Sequence, residues 1–196
     1  MHKIIDNLIL IENKLKEKLN NTNIPTIIAV SKTFSMSEIS PLINHGHLHF
    51  GENKVQETIE KWTSIKQDFN DIKLHMIGKL QSNKVKYVVP LFDYIHSLDS
   101  LKLAEKISSE QKKFDKRLKI FIQINIGNEN QKSGIEIENL QNFYNIFNKK
   151  LDLDIIGLMC LPPNNKDSQK YFTQMKELAK KVDVKEISMG MSNDFL

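Results

Sequence analysis

The chain has 196 residues, of which 40% are hydrophobic and 27% charged, and its formal net charge is +4. That length suits one domain burying roughly two-thirds of its unfolded surface, and no stretch of eighteen apolar residues is present to span a bilayer, so no membrane association is expected. The positive balance does not point to nucleic acid: Lys and Glu are dispersed along helical faces, and Arg117 is the only arginine among 28 Lys and Arg.

The first 20 residues, MHKIIDNLILIENKLKEKLN, carry apolar positions at helical spacing interleaved with both charge signs, which predicts an added N-terminal helix rather than a secretory leader. A cytoplasmic protein is expected, and the lone Cys160, with no partner for an internal disulfide, agrees with a reducing compartment. Short apolar runs then alternate with longer amphipathic ones. TIIAV (26–30), predicted as a strand buried on both faces, precedes a helix over 37–44, and HLHF (47–50) precedes one over 53–66. KLHMIG (73–78) precedes 82–88, and YIHSL (94–98) precedes 100–113. LKIFIQIN (118–125) precedes 136–149, DIIGLMC (154–160) precedes 168–181, and EISMGM (186–191) closes the series. Strands alternating with crossover helices predict an α/β fold with a parallel sheet, and seven such units in one domain favour a TIM-type (β/α) barrel over an open sheet.

In such a barrel the carboxyl ends of the strands form the working face. Polar residues cluster there: Lys32 after the first strand, Gly51, Glu52 and Asn53 after the second, Gly78 and Gln81 to Asn83 after the third, Asn125 after the fifth, Ser188 and Ser192 after the seventh. Read from periodicity alone, these are ligand contacts or, equally, turn formers and helix caps. Ser188-Met189-Gly190-Met191-Ser192 suits an anion, because Gly190 lets backbone approach closely, Ser192 offers a hydroxyl, and N–H groups opening a following helix favour negative charge. His45, His47 and His49 alternate as metal ligands might, but only two of them fall in the predicted strand and no carboxylate set accompanies them, so no metal is expected.

Taken together, AVSKT (29–33), FGENKVQE (50–57), HMIGKLQSNK (75–84), INIGNENQKSG (124–134), GLM (157–159) and SMGMSND (188–194) resemble, in order and interval, the pyridoxal phosphate homeostasis protein family. The resemblance runs from about residue 26 to 195. It implies one alanine-racemase-like barrel over residues 1–196 that binds pyridoxal 5′-phosphate as a Schiff base, acts in vitamin B6 and amino-acid homeostasis, and has no established catalysis. Lys32 matches the lysine of the family's VSKT segment and would bond the cofactor aldehyde. An imine needs the neutral amine, and burial at the barrel mouth is expected to lower the pKa of Lys32 from the solvated value near ~10.4. The resemblance further implies phosphate contacts at Ser192, Gly190 and Ser188. Asn53 and Asn125 are read as bonding polar edges of the ring or else fixing neighbouring loops, and His75 and Met159, from their strand positions, as pocket residues at the barrel mouth, with a satisfied interior histidine the other reading of His75. Glu52 and Lys84 are read as ion-pairing at the rim, and Cys160 as an inert buried thiol.

The sequence departs from the family pattern at Lys54, where tyrosine is frequent, and at Lys79, where proline is. It ends at Leu196, ahead of a last strand with an RxG segment, so the expected barrel lacks its eighth strand. A monomer is expected, with association through an open barrel edge as the other outcome. The competing functions are a racemase-type enzyme, which would need a second acid/base residue opposite Lys32, and a Schiff-base aldolase on a sugar phosphate.

Overall fold

The computed structural model describes residues 2–129, 133–163, 168–192 and 194. Residues 130–132 of the INIGNENQKSG segment and Asn193 of SMGMSND lie outside them. The chain divides into two compact units, one up to Leu74 and one from His75 onward.

The first unit opens with α1 (Lys3–Lys18), which buries Leu8 and Leu15 on one face and places Lys16 and Lys18 in its last turn, where cations suit the helix dipole. Strand β1 is Ala29–Val30 alone, paired in parallel with Phe50 and Gly51 of β2 (His49–Glu52). Val30 is 45% exposed, so the run 26–30 is not the doubly buried strand its apolar content predicts. Apolar sequence specifies burial only where neighbours exist around it, and among the described residues β1 has one partner strand, β2. Between them α2 (Met36–Asn44) starts at Ser35, whose N–H and hydroxyl both donate to Glu38, at 2.8 and 2.7 Å. The helix expected over 53–66 is divided into α3 (Val55–Trp62) and α4 (Ile65–Asp68). Thr63 lies at the break, its hydroxyl donating to the Ile59 carbonyl at 2.6 Å, a side-chain bond that competes with the helical ladder. Phe50, Trp62, Ile72 and Leu74 are at most 1% exposed and form the core of this unit.

Strand β3 (Lys73–Met76) begins in the first unit, and its second half starts the next. His75 and Met76 pair with β4 (Tyr94–Leu98), β4 with β5 (Lys119–Ile124), β5 with β6 (Asp154–Cys160) and β6 with β7 (Glu186–Ser188), all parallel. The connecting helices are α5 (Val85–Leu91), α6 (Leu101–Phe114), α7 (Leu140–Lys150) and α8 (Ser168–Lys181). Successive parallel strands joined by helices are the arrangement the alternating pattern predicts. Gly157 in β6 has a packing reason, since a Cβ there would overlap the Glu186 carbonyl oxygen of β7. Among the described residues, every non-glycine with positive φ is Asn or Asp: Asn20, Asn21, Asn23, Asp115, Asn128, Asp152 and Asp183.

Candidate functional site

The first unit holds Lys32 and Asn53. Lys32 lies two residues beyond β1 and is exposed, which overturns the expected desolvation at a barrel mouth. A two-residue strand with a half-exposed Val30 gives it too few neighbours to strip its hydration. It lines an open depression of about 480 Å³ with Thr33, Phe34, Glu57, Glu60 and Lys61. Asn53 is half-exposed one residue beyond β2.

Immediately before Lys32, Ser31 is 3% exposed and held at three points. Its N–H donates to the Gly51 carbonyl at 3.0 Å, its hydroxyl donates to Glu52 Oε1 at 2.8 Å, and its carbonyl accepts from Lys61 Nζ at 2.7 Å. Glu52 is no rim residue: β2 runs two residues past the predicted 47–50, carrying this side chain inward to 1% exposure. Its Oε1 also accepts from Lys61 Nζ and from Trp62 Nε1, each at 2.9 Å, while Oε2 is buried with no hydrogen-bond partner. One carboxylate oxygen thus ties together β1, β2 and α3 and fixes the backbone that presents Lys32. Lys61 was missed in the sequence because an amphipathic helix over 53–66 gives no sign of which lysine turns inward. Among the described residues Lys84 makes no ion pair; its Nζ lies 6.0 Å from the Tyr87 ring centroid.

The second unit holds His75, Met159, Ser188, Gly190 and Ser192. His75 on β3 and Met159 on β6 are each 3% exposed, and Met159 is in register with Ser188 of β7. His75 Nδ1 lies 2.9 Å from His96 Nε2, and His96 Nδ1 lies 2.8 Å from Ser188 Oγ. Tyr94 stacks on His75 with ring centroids 4.2 Å apart, and Phe121 stacks on His96 at 4.3 Å. Burial pushes His96 down to about 3, so its imidazole is neutral at physiological pH. His96 escaped the sequence reading because β4 does not keep simple alternation. Ile95 pairs with Ile120 and Leu98 with Ile122, so His96 and Ser97 sit in a bulge that re-aims the histidine.

Gly190 has φ +86, a left-handed turn that suits glycine. Ser192 is exposed. The N–H groups expected to open a helix for an anion are differently engaged: the Met191 N–H donates to Asp194 Oδ1, and the Asp194 N–H to the Met191 carbonyl at 3.1 Å, closing a turn. Asn125 fixes its own loop, accepting from the Glu129 N–H at 3.1 Å and donating to the Glu129 carbonyl at 3.0 Å. Cys160 is buried, and desolvation raises its thiol to about 12, helped by Asp194, so it is inert. Among the described residues no group of His, Cys, Asp and Glu has the arrangement of a metal site.

Within each unit the donors suit, in kind, one part of a phosphorylated aldehyde. An accessible primary amine stands on a rigid Ser31 anchor, and two serine hydroxyls flank a left-handed glycine, neutral donors of the sort that take a phosphate oxygen.

The family model described as the alanine racemase N-terminal domain matches residues 6–196. The pyridoxal phosphate homeostasis protein of Aquifex aeolicus is 35% identical over 182 residues, covering 88% of this chain and 79% of its own. The solved structure of PipY from Synechococcus elongatus PCC7942 with PLP bound matches at 31% identity with a TM-score of 0.80, covering 93% of this chain and 90% of that one. An alanine racemase of Clostridium difficile 630, at 17% identity, TM-score 0.70 and coverage of 94% of this chain and 49% of its own, shares the fold alone. The α/β architecture is therefore of the alanine-racemase-like barrel class. With relatives this similar over most of its length, the chain belongs to the pyridoxal phosphate homeostasis protein family, whose domain is that of the alanine racemase N-terminal half.

Proposed function

We propose that this protein binds pyridoxal 5′-phosphate covalently through Lys32 and serves vitamin B6 and amino-acid homeostasis without turning over a substrate of its own. The observation that carries this reading is the match over 93% of the chain to a protein solved with PLP bound. The bound cofactor would supply an aldehyde able to capture amines. Lys32 offers the amine, and the three-point anchorage of Ser31 keeps its Cα–Cβ direction constant. Ser192, Gly190 and Ser188 serve the phosphate, Ser192 and Ser188 through their hydroxyls and Gly190 by letting the backbone turn close to it. Asn53 of the first unit, and His75 and Met159 of the second, are further cofactor contacts, with buried Met159 supplying apolar surface. The relatives carry the name of homeostasis proteins, not of enzymes, which supports a holding and delivering role. The protein works as a monomer in the cytoplasm; no helix among the described residues is long and apolar enough to cross a membrane.

The test is borohydride reduction of protein incubated with pyridoxal phosphate, followed by peptide mapping. A pyridoxyl adduct on Lys32 is expected, absent in Lys32→Ala, with circular dichroism unchanged because an exposed side chain contributes within about 0.5 kcal/mol to stability. An adduct confined to other lysines would refute the assignment. Amino-acid racemisation above the free cofactor's rate that vanished in Lys32→Ala would refute the non-enzymatic role.

A further inference from the structure

The file of hydrogen bonds from Ser188 through His96 to His75 has a property that a passive buried contact lacks. His96 is 1% exposed, stacked on Phe121, and neutral, so its ring carries one N–H. Both ring nitrogens are nevertheless within hydrogen-bond distance of a partner, His75 Nδ1 on one side and Ser188 Oγ on the other. One nitrogen must donate while the other accepts, which leaves two arrangements. In the first, the Ser188 hydroxyl donates inward to His96 Nδ1, and His96 Nε2–H donates to His75 Nδ1. In the second, His75 Nδ1–H donates to His96 Nε2, and His96 Nδ1–H donates to Ser188 Oγ. Only the second frees the serine proton to face outward.

We propose that Ser188, His96 and His75 form a tautomeric relay in which a phosphate-type anion accepting from the Ser188 hydroxyl fixes His96 as the Nδ1–H form and so sets which way the buried His75 is hydrogen-bonded. The proposal deepens the reading of Ser188 as a phosphate contact and rests on it. The proton count is unchanged but the protons shift along the file. In passing from the first arrangement to the second, His96 Nε2 passes its proton to His75 Nδ1, and the serine passes its proton to His96 Nδ1 and recovers one from water at the anion seat, turning it toward the anion. The proton displaced from the far nitrogen of His75 returns to water, so one proton enters at Ser188 for each that leaves at His75. The ring planes need not move, since the same heavy-atom distances of 2.9 and 2.8 Å serve both directions. The stacking of Tyr94 on His75 at an interplanar angle of 11° and of Phe121 on His96 at 21° holds both imidazoles against rotation, leaving tautomer exchange as the way to reverse the file. The bulge at His96 and Ser97 aims the middle member between β3 and β7. What reaches His75 is therefore a statement of whether the anion seat is taken.

The test is long-range proton–nitrogen NMR of histidine-labelled full chain, which distinguishes Nδ1–H from Nε2–H at each ring. It is run free, with inorganic phosphate, with pyridoxal phosphate and with pyridoxal, and binding is followed independently by phosphorus NMR. A charge-assisted bond at Ser188 should raise the ratio of Nδ1–H to Nε2–H at His96 at least about tenfold with either phosphate-bearing probe. Pyridoxal, lacking the anion, should leave it unchanged, and Ser188→Ala should abolish the response. Phosphate binding without a tautomer change, or a free protein already wholly Nδ1–H, would overturn the relay while leaving the phosphate assignment standing. No phosphate binding at all would overturn both, and borohydride mapping at Lys32 would then decide the cofactor reading by itself.

Discussion

Replacing Glu52 by Ala should cost about 4 kcal/mol of stability, and the figure follows from who depends on its Oε1. Ser31 Oγ and Trp62 Nε1 are buried donors that lose their acceptor, and Lys61, with a side chain 13% exposed, loses its counter-charge. An orphaned neutral donor costs ~1–3 kcal/mol, and breaking a buried ion pair ~3–5 kcal/mol. The three losses share one site and are not additive, and Lys61 keeps the Ser31 carbonyl, so the total lies nearer the ion-pair figure than the sum. Against a domain stability of about 5–15 kcal/mol this is a large fraction, and in a chain of this size it lowers Tm by roughly 8–16 °C. Trp62 is the only tryptophan, so urea unfolding followed by its fluorescence reads the affected site directly. Glu52→Gln, which keeps an acceptor oxygen and removes the charge, should fall between wild type and Glu52→Ala. A loss below about 1 kcal/mol for the alanine variant would refute the view that Glu52 organises the first unit.

The pH dependence follows from His96, and from His47, whose burial shifts it in the same direction. Because the folded pKa lies below the unfolded value near ~6.5, the unfolded chain takes up a proton that the folded one refuses, and stability falls as pH drops from about 6.5 toward 3. The steepest slope from His96 is about 1.4 kcal/mol per pH unit; urea midpoints at pH 7, 6 and 5 should decline, less so in His96→Asn, and a flat profile would contradict a neutral buried imidazole. Gly157→Ala places a methyl on the Glu186 carbonyl oxygen and should cost more than about 2 kcal/mol, with faster amide exchange in β7; a change within about 0.5 kcal/mol would mean that β6 and β7 separate easily.

The sequence was legible where an apolar run is bounded by turn chemistry and buried by its own neighbours. β4, β6 and α8 span the residues that alternation and periodicity predict, 94–98, 154–160 and 168–181. It was less legible where tertiary context decides. The run 26–30 reads as buried on both faces yet forms a two-residue strand beside β2, and Lys32, two residues on, is exposed. Glu52 looks like a loop residue because FGEN is read as a turn, whereas β2 continues through it and turns its carboxylate inward. His96 is hidden by a bulge, which breaks the parity that period-two reasoning relies on. The VSKT, FGEN and SMGMS segments carried the family without revealing any of these three facts, since a motif records which residues occur and not how each is held.

The seven left-handed Asn and Asp positions have a consequence for engineering. Each is exposed, and several lie within two residues of a helix end: Asn20 after α1, Asp115 after α6, Asp152 after α7, Asp183 after α8. Those are places where glycine is the usual occupant, because a Cβ in that backbone region carries a steric penalty that Asn and Asp soften without removing. Glycine at each would relieve that penalty at the expense of a looser unfolded chain, for a net gain of a few tenths of a kcal/mol apiece. Being solvent-facing and spread along the chain, the positions suit additive substitution, with Asp152 also surrendering an exposed pair to Arg117 that is worth ~0–1 kcal/mol. The helix ends thus form a distributed thermostability reserve that can be drawn on without touching Lys32, Ser188 or the buried histidines.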